Sequence, residues 1–317
     1  MRSPWLRRVH ALAVALAAAS ASALALVACS SDGGAPPAGE TPGLDAGTGA
    51  DSAPPGSGAD GGAGGGADSG NAAGVRFHIQ LDYRFDTAGF FADPIRKKSL
   101  EGACRIWSKL LSDSFANVPA GTFIRVRNPE TPSEPALSLN IDYEIDDIVV
   151  FVGSSSLGGT TTGISSPTAG LSGVTSPSLQ ASLQQRFEGP VFQPWTAWIS
   201  FDRDTDFYFD PDPESPSTLP AGEMDFVSVA LHELGHVLGF GTADTFKSKI
   251  AGATFTGAKA QALYGGPVPL SPDLGHVPNT TMSGGQRLLM DVSDARGVRY
   301  LPTPLDRAMF EDLGFHF

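Results

Sequence analysis

Two histidines and a glutamate are the residues of this 317-residue chain best placed to do chemistry. His232, Glu233 and His236 form the arrangement H-E-x-x-H. On an α-helix, residues four apart share one face with Cβ atoms about 5–6 Å apart, so both imidazoles can bind one zinc ion. Glu233 then lies beside the metal, where its carboxylate can hold a zinc-bound water and accept a proton from it. The weaker alternative is a hydrogen-bonded polar cluster in a core.

The helix that carries these residues is predicted to be buried. Its other positions are apolar on almost every side, and a helix of that kind belongs in a core: Phe226, Val227, Val229, Ala230, Leu231, Leu234, Val237 and Leu238. Polar groups there are costly unless they are paired or bind a metal. Asp225 is the expected N-cap, and Gly239 and Gly241 are expected to end the helix and turn the chain.

The motif extends to H-E-x-x-H-x-x-G-F over residues 232–240, which resembles the metzincin class of zinc peptidases. In most of that class a third histidine lies three residues after the glycine, where this chain has Thr242. Leishmanolysin-type members insert a segment before the third histidine. This chain resembles them, because His276 follows in a turn-rich stretch about 35 residues after Gly241.

Two later stretches extend the resemblance, which covers residues 75–317. Residues 288–291, with Met290, resemble the methionine turn beneath the metal, and residues 305–315 resemble the closing helix of such domains. That helix is expected to begin with Thr303 as N-cap and Pro304 as its first residue. The implied fold is α+β: a twisted sheet with two long helices above the cleft, and a loop-rich lower subdomain with a C-terminal helix.

The resemblance implies a metal site made by His232, His236 and His276, with Glu233 as the catalytic base and Met290 as a structural residue. A catalytic zinc usually has three protein ligands, so two helix histidines are one short. The carboxylates of Asp244 and Asp273 compete with His276 for the third place. His276 is preferred because its order relative to Met290 matches the leishmanolysin-type arrangement.

The expected activity is that of a zinc-dependent endopeptidase, which hydrolyses peptide bonds of extracellular or periplasmic proteins through a zinc-bound water activated by Glu233. One alternative is another zinc hydrolase, in which a downstream carboxylate such as Glu311 replaces His276. A second alternative is a non-catalytic surface adhesion or binding protein that retains a structural zinc. An intact Glu233 favours catalysis, because a structural zinc needs no general base beside it.

The chain start has the features of an export signal over residues 1–28. Arg2, Arg7 and Arg8 precede an apolar run that ends in small residues. Cys29 follows in a stretch that resembles a bacterial lipobox, which implies a lipidated N-terminus, held at the cell envelope and most readily at the outer membrane. The alternative is an ordinary secretory signal and a secreted protein. Membrane fractionation of a Cys29→Ser variant separates the two.

Residues 29–74 are predicted to be a disordered linker, and residues 75–317 to be the catalytic domain. The linker is rich in Gly, Ala, Asp and Pro and cannot bury enough apolar surface to fold. In the domain, a helix is expected to start at Pro94, with Ile95 and Cys104 among its core positions.

Strands are predicted at residues 76–83, 123–127, 145–152 and 195–201. By resemblance, the last of these is the sheet edge that pairs with extended substrate. Residues 158–178 are rich in Gly, Ser and Thr and are expected to form a surface insertion.

The net charge of −13 and the absence of a basic patch argue against a nucleic-acid partner. The expected partners are a protein or peptide substrate and, through the lipid alone, a membrane; the chain is expected to be a monomer. Residues 202–206 carry alternating aspartates, so a Ca²⁺ loop is a second cofactor hypothesis. A solvated acidic turn is preferred, because the glycine and closing glutamate of an EF-hand are missing.

Overall fold

The computed structural model describes residues 27–32, 77–171, 176–215 and 218–317. These residues form a mixed α+β structure. Its helices are a 3₁₀ turn at Phe90–Ala92 and the α-helices α1 (Pro94–Leu110), α2 (Pro177–Glu188), α3 (Phe226–Val237), α4 (Asp244–Lys247), α5 (Ala258–Tyr264) and α6 (Pro304–Asp312). None of the helices in the described ranges is long and apolar enough to span a membrane.

The strands number fifteen within the described part of the chain. In sequence order they are β1 (Val27–Asp32), β2 (Ile79–Asp82), β3 (Phe123–Val126), β4 (Leu137–Asn140), β5 (Ile148–Ser155), β6 (Thr161–Pro167), β7 (Thr196–Asp202), β8 (Phe207–Tyr208), β9 (Met224–Asp225), β10 (Ile250–Ala251), β11 (Thr254–Phe255), β12 (Val268–Pro269), β13 (Met282–Ser283), β14 (Gln286–Arg287) and β15 (Ser293–Ala295).

One six-stranded sheet dominates, in the order β15-β1-β6-β7-β5-β2. β2, β5 and β7 are mutually parallel, whereas β6 runs antiparallel to β7. β1 pairs antiparallel with β6 and parallel with β15. The remaining strands form a three-stranded sheet of β10, β11 and β12 and the two-stranded pairs β3-β4, β8-β9 and β13-β14.

The main sheet has a core on each face, because successive side chains of a strand point to opposite sides. In β5, Ile148, Val150 and Val152 join the larger core, while Val149 and Phe151 join a smaller one. α1, α3 and α6 contribute to the larger core. This burial on both faces explains why β5 is a continuous apolar run in the sequence.

α1 supports α3 directly. The indole Nε1 of Trp107 donates to the backbone oxygen of Leu231 across 3.0 Å, and both side chains are fully buried. The predicted start of α1 is confirmed: Asp93 caps it by accepting from the amide of Ile95. Cys104 is buried as expected, but Ile95 is not a core residue, since 47% of it is exposed. Ile95 lies in the first turn of the helix.

The expectation of a surface insertion at residues 158–178 is wrong. This stretch contains β6, which lies inside the main sheet, and Thr162, Ser165 and Ser166 on it are buried. Small side chains give a weak strand pattern, yet they let a strand lie close to a helix. The edge position expected for residues 195–201 is also wrong, because β7 lies between β5 and β6 and all its residues are buried.

β1 lies at the predicted end of the export signal. The boundary between residues 28 and 29 falls inside this strand, whose backbone pairs with both β6 and β15. Residues 1–26 and 33–76 are outside the described residues, so most of the predicted signal and linker is not described by the structure.

Candidate metal centre

α3 is fixed at its start by an ion pair between buried Asp225 and half-buried Arg299. Asp225 caps the helix by accepting from the amide of Ser228 at 3.0 Å, as the sequence predicts. The guanidinium of Arg299 donates to both carboxylate oxygens of Asp225, at 2.8 and 2.9 Å. Every residue of α3 is buried. The helix ends at Val237, and Gly239 follows with φ 105°, a left-handed conformation that glycine adopts without strain.

Three histidines converge beside the C-terminal half of α3. The Nε2 atoms of His232 and His236 are 2.8 Å apart, and the Nε2 atoms of His236 and His276 are 3.1 Å apart. All three residues are at most 1% exposed. Within the described residues, they form the one group of histidine, cysteine, aspartate or glutamate side chains that could hold a metal ion. The predicted proximity of His276 to the helix pair is therefore confirmed.

The other nitrogen of each ring is held by an oxygen. Nδ1 of His232 contacts the backbone oxygen of Leu289 at 2.7 Å, and Nδ1 of His236 contacts that of Phe240 at 2.8 Å. Nδ1 of His276 contacts the Asp273 carboxylate at 2.6 Å. A carbonyl oxygen only accepts, so the ring protons of His232 and His236 are on Nδ1. Their Nε2 atoms therefore present lone pairs.

These facing lone pairs fit a cation. Burial lowers the pKa of His232 to about 3 and lowers the pKa of His236 well below its usual range. Both rings are thus neutral at pH 7, and two neutral rings with Nδ1 protonated cannot hydrogen-bond to each other through Nε2. A metal ion bound by the Nε2 atoms removes this conflict, and oxygen partners at Nδ1 are the usual supports of metal-binding histidines.

A close backbone approach brings His276 to the helix. A Cβ atom on Gly241 would lie 2.6 Å from the backbone oxygen of Gly275, so the exit of α3 and the His276 loop touch through glycine. Gly241 has φ 68°, which a residue with a side chain rarely adopts. Asp273 is the competitor ligand predicted from the sequence, but it contacts the ring of His276 and orients it. Hydrogen bonding to His276 lowers the pKa of Asp273 against the opposing effect of burial.

Met290 packs against α3 at Gly235, and its role as the methionine turn of the resemblance stays a prediction. It is fully buried. A Cβ atom on Gly235 of α3 would collide with its sulfur, so the glycine provides the space for this side chain. The backbone oxygen of Met290 accepts from the amide of Val277 at 3.0 Å. The turn is thereby attached to the residue that follows His276.

Glu233 lies against β6. It is fully buried, and its backbone oxygen accepts from the Ser165 hydroxyl at 3.0 Å. A Cβ atom on Gly163 would lie 2.6 Å from Oε1 of Glu233, so any residue other than glycine would collide with the carboxylate. Neither Gly163 nor Ser165 was indicated by the sequence, because the Gly, Ser and Thr content of residues 158–178 suggested a surface insertion.

The remaining predicted candidates lie apart from the histidines. The carboxylate of Asp244 is 78% exposed and pairs with Lys247 at 3.7 Å. Glu311 pairs with Lys259 at 3.2 Å. In the acidic turn, Asp202 accepts hydrogen bonds from the amide of Leu157 and the Thr205 hydroxyl. These carboxylates hold local structure. The backbone of Cys29 pairs with Gly163 in the main sheet, and its lipidation stays a prediction.

Comparisons of the chain with protein-family models, with curated proteins and with solved structures give no match. A function for this site must therefore be inferred from its residues, their contacts and their chemistry.

Proposed function

We propose that this chain is a zinc-dependent endopeptidase of the metzincin class, most similar to its leishmanolysin-type members. One observation carries the proposal: His232, His236 and His276 converge through their Nε2 atoms in a buried site that also holds Glu233 on the same helix. The mixed α+β structure, the buried Met290 and the closing helix α6 are consistent with that class.

Zinc is the metal that we propose for the site. Three histidine nitrogens are a common donor set of catalytic zinc, which keeps a further position open for water or substrate. When bound, the ion would supply Lewis acidity and lower the pKa of a water molecule towards 7. The three histidines hold and orient it, and their Nδ1 partners fix the ring orientations.

Glu233 is the proposed general base and acid. It follows His232 directly in α3, so its carboxylate lies beside the histidine pair and is not one of the converging ligands. It accepts a proton from the attacking water and then delivers that proton to the amine nitrogen that leaves the cleaved peptide. The histidines cannot do this work, because their Nε2 atoms would hold the metal and their Nδ1 atoms contact Leu289, Phe240 and Asp273.

A peptide is the proposed substrate because an extended segment fits the sheet beside Glu233. That segment is the chain's own β1, which pairs antiparallel with β6 and places Cys29 opposite Gly163, the residue that lies against Glu233. A substrate peptide recognised by β6 through backbone hydrogen bonds would have to replace β1 there. The proposed substrates are exported proteins, with the enzyme lipid-anchored through Cys29 at the cell envelope.

The two alternative functions explain fewer of the residues in the site. A non-catalytic adhesion protein with a structural zinc would not need a buried carboxylate next to the metal ligands. A zinc hydrolase with a carboxylate as third ligand would need an acidic residue where His276 lies, and Glu311 pairs with Lys259 instead.

The function is tested by a Glu233→Gln variant assayed on casein and on a peptide library. We expect the variant to keep its zinc and to lose about 10²–10⁴-fold in cleavage rate, which is the usual contribution of a general base. Glu188→Gln, the same change on an exposed residue of α2, is the matched control and should cleave like the parent. Parent-like cleavage by Glu233→Gln would rule out the proposed mechanism.

A further inference from the structure

Asp306 is a fully buried carboxylate in the first turn of α6. Part of its role is to cap its own helix. Thr303 donates to Asp306 Oδ2 through its amide at 2.8 Å and its hydroxyl at 2.7 Å, while the Asp306 amide donates to Thr303 Oγ1 at 3.2 Å. This reciprocal arrangement is a capping box, which needs no further partners.

The same carboxylate accepts two additional hydrogen bonds from the methionine turn. The amide of Leu289 donates to Asp306 Oδ2 at 3.0 Å, and the amide of Met290 donates to Oδ1 at 3.2 Å. The Asp306 carboxylate thus accepts hydrogen bonds from two consecutive backbone amides and holds this segment in place. Hydrogen bonds to a charged group are about twice as strong as those between neutral groups.

Residues 289 and 290 also contact one proposed metal ligand, His232, and the neighbour of another, Val277. The backbone oxygen of Leu289 accepts from Nδ1 of His232 at 2.7 Å. The backbone oxygen of Met290 accepts from the amide of Val277, next to His276, at 3.0 Å. A shift of residues 289–290 would therefore move the acceptor that orients one ligand and the backbone beside another.

We infer that Asp306 is a positioning residue of the metal centre: its carboxylate fixes the 289–290 segment so that the Leu289 carbonyl sets the orientation of the His232 ring. The inference rests on the proposed function only in requiring that the three histidines bind zinc. On this inference, α6 helps to determine the metal affinity of the site.

The test compares Asp306→Asn with Thr303→Val. An asparagine has one acceptor oxygen, so its amide group must face donors that the carboxylate accepts. Thr303→Val removes the hydroxyl of the capping box but leaves the hydrogen bonds that the amides of Leu289 and Met290 donate to Asp306. Because both changes weaken the cap, a difference between them reports the link to the turn. Asp306→Glu, which keeps the charge, replaces Asp306→Asn if that variant does not fold.

Zinc affinity is measured by competition with a chelating dye on the full chain, and ligand geometry by the visible absorption of the Co²⁺-loaded protein. We expect Asp306→Asn to bind zinc about 10–100-fold more weakly than the parent, as for other losses of ligand support. Its Co²⁺ spectrum should change, while Thr303→Val keeps the affinity and spectrum of the parent.

Equal zinc affinity and identical Co²⁺ spectra in Asp306→Asn and Thr303→Val would overturn the inference while leaving the proposed function intact. A parent chain that binds neither ion would overturn both.

Discussion

Each histidine ring of the site has a different Nδ1 partner, and only His276 has a charged one. The Asp273 carboxylate contacts Nδ1 of His276 at 2.6 Å and also accepts from the amide of Gly275 at 3.0 Å. A carboxylate at this place raises the basicity of the metal-binding nitrogen and fixes the ring. Asp273 therefore supports the proposed third ligand, although the sequence alone made it a competitor for that position.

An Asp273→Ala variant should show weaker zinc binding by about 10–100-fold without losing the site, because the three ring nitrogens remain. Asp244→Ala is the control, since that carboxylate is exposed and pairs only with Lys247 among the described ion pairs. Competition with a chelating dye gives both affinities. If the two variants bind zinc equally well, Asp273 has no supporting role.

Gly163 is a second residue on which the geometry of the site depends, because it lies against the Glu233 carboxylate. A methyl group there would lie 2.6 Å from Oε1 of Glu233, closer than side chains tolerate, so the carboxylate must move. A misplacement of about 1 Å can cost 10²-fold in rate. We expect Gly163→Ala to lose about 10²-fold in peptide cleavage while its zinc content stays at that of the parent.

Gly222→Ala is the matched control for this change, because a Cβ atom at that glycine meets nothing within 4 Å. Cleavage rates and zinc content are measured on both variants. Parent-like cleavage by Gly163→Ala would show that β6 does not constrain Glu233.

At the scale of elements, α1, α3 and α6 were predictable because their signals are local, whereas α2, α4 and α5 were not predicted. Asp225 before α3, Gly239 after it, and the Thr303-Pro304 pair before α6 mark the ends within a few residues of the helices they cap. The predicted strands at residues 123–127 and 145–152 also overlap β3 and β5, since apolar and alternating runs are visible in the sequence.

β6 could not be predicted in this way. Its residues are mostly small, so they show neither an apolar run nor an alternation, and what holds them is pairing with β7 and contact with α3. The order of strands is equally invisible, because pairing joins residues far apart in the chain. For that reason β7 was expected at an edge and lies in the middle.

The three histidines of the candidate site were predictable, but the groups that hold their rings were not. His232 and His236 follow from helical spacing, and His276 from resemblance and chain order. Their partners on Leu289 and Phe240 are backbone oxygens, which every residue carries, so no residue type could reveal them. The proposed role of Asp306 likewise depends on the close approach of α6 to residues 289–290.

At the scale of the whole molecule, the buried histidines link stability to pH. The pKa of His232 is lowered to about 3 and that of His236 well below its usual 6.5, because burial disfavours the charged ring. In the unfolded chain both rings take up a proton near pH 6.5, whereas in the folded metal-free protein they stay neutral. The unfolded state then binds more protons, so stability falls as the pH drops below 6.5.

Between pH 7.5 and pH 5.5, we expect His232 and His236 each to lower the unfolding free energy of chelator-treated protein by about 1.4 kcal/mol, while buried Asp306, whose pKa is raised to about 6, offsets part of this loss. Urea titrations at the two pH values measure it. A His232→Gln variant is the control, because it should lose less stability over that interval by about the contribution of one histidine. A variant with the same pH dependence as the parent would show that His232 is not held neutral.

The central claim is that the three histidines hold a zinc ion on which peptide cleavage depends. The most direct measurement is a zinc titration of the chelator-treated full chain, with hydrolysis of casein followed at each addition. Activity should return and level off at about one zinc per chain, and a His276→Ala variant titrated beside it should not reach that plateau. Casein hydrolysis that survives chelation, or that returns equally well in His276→Ala, would contradict the account.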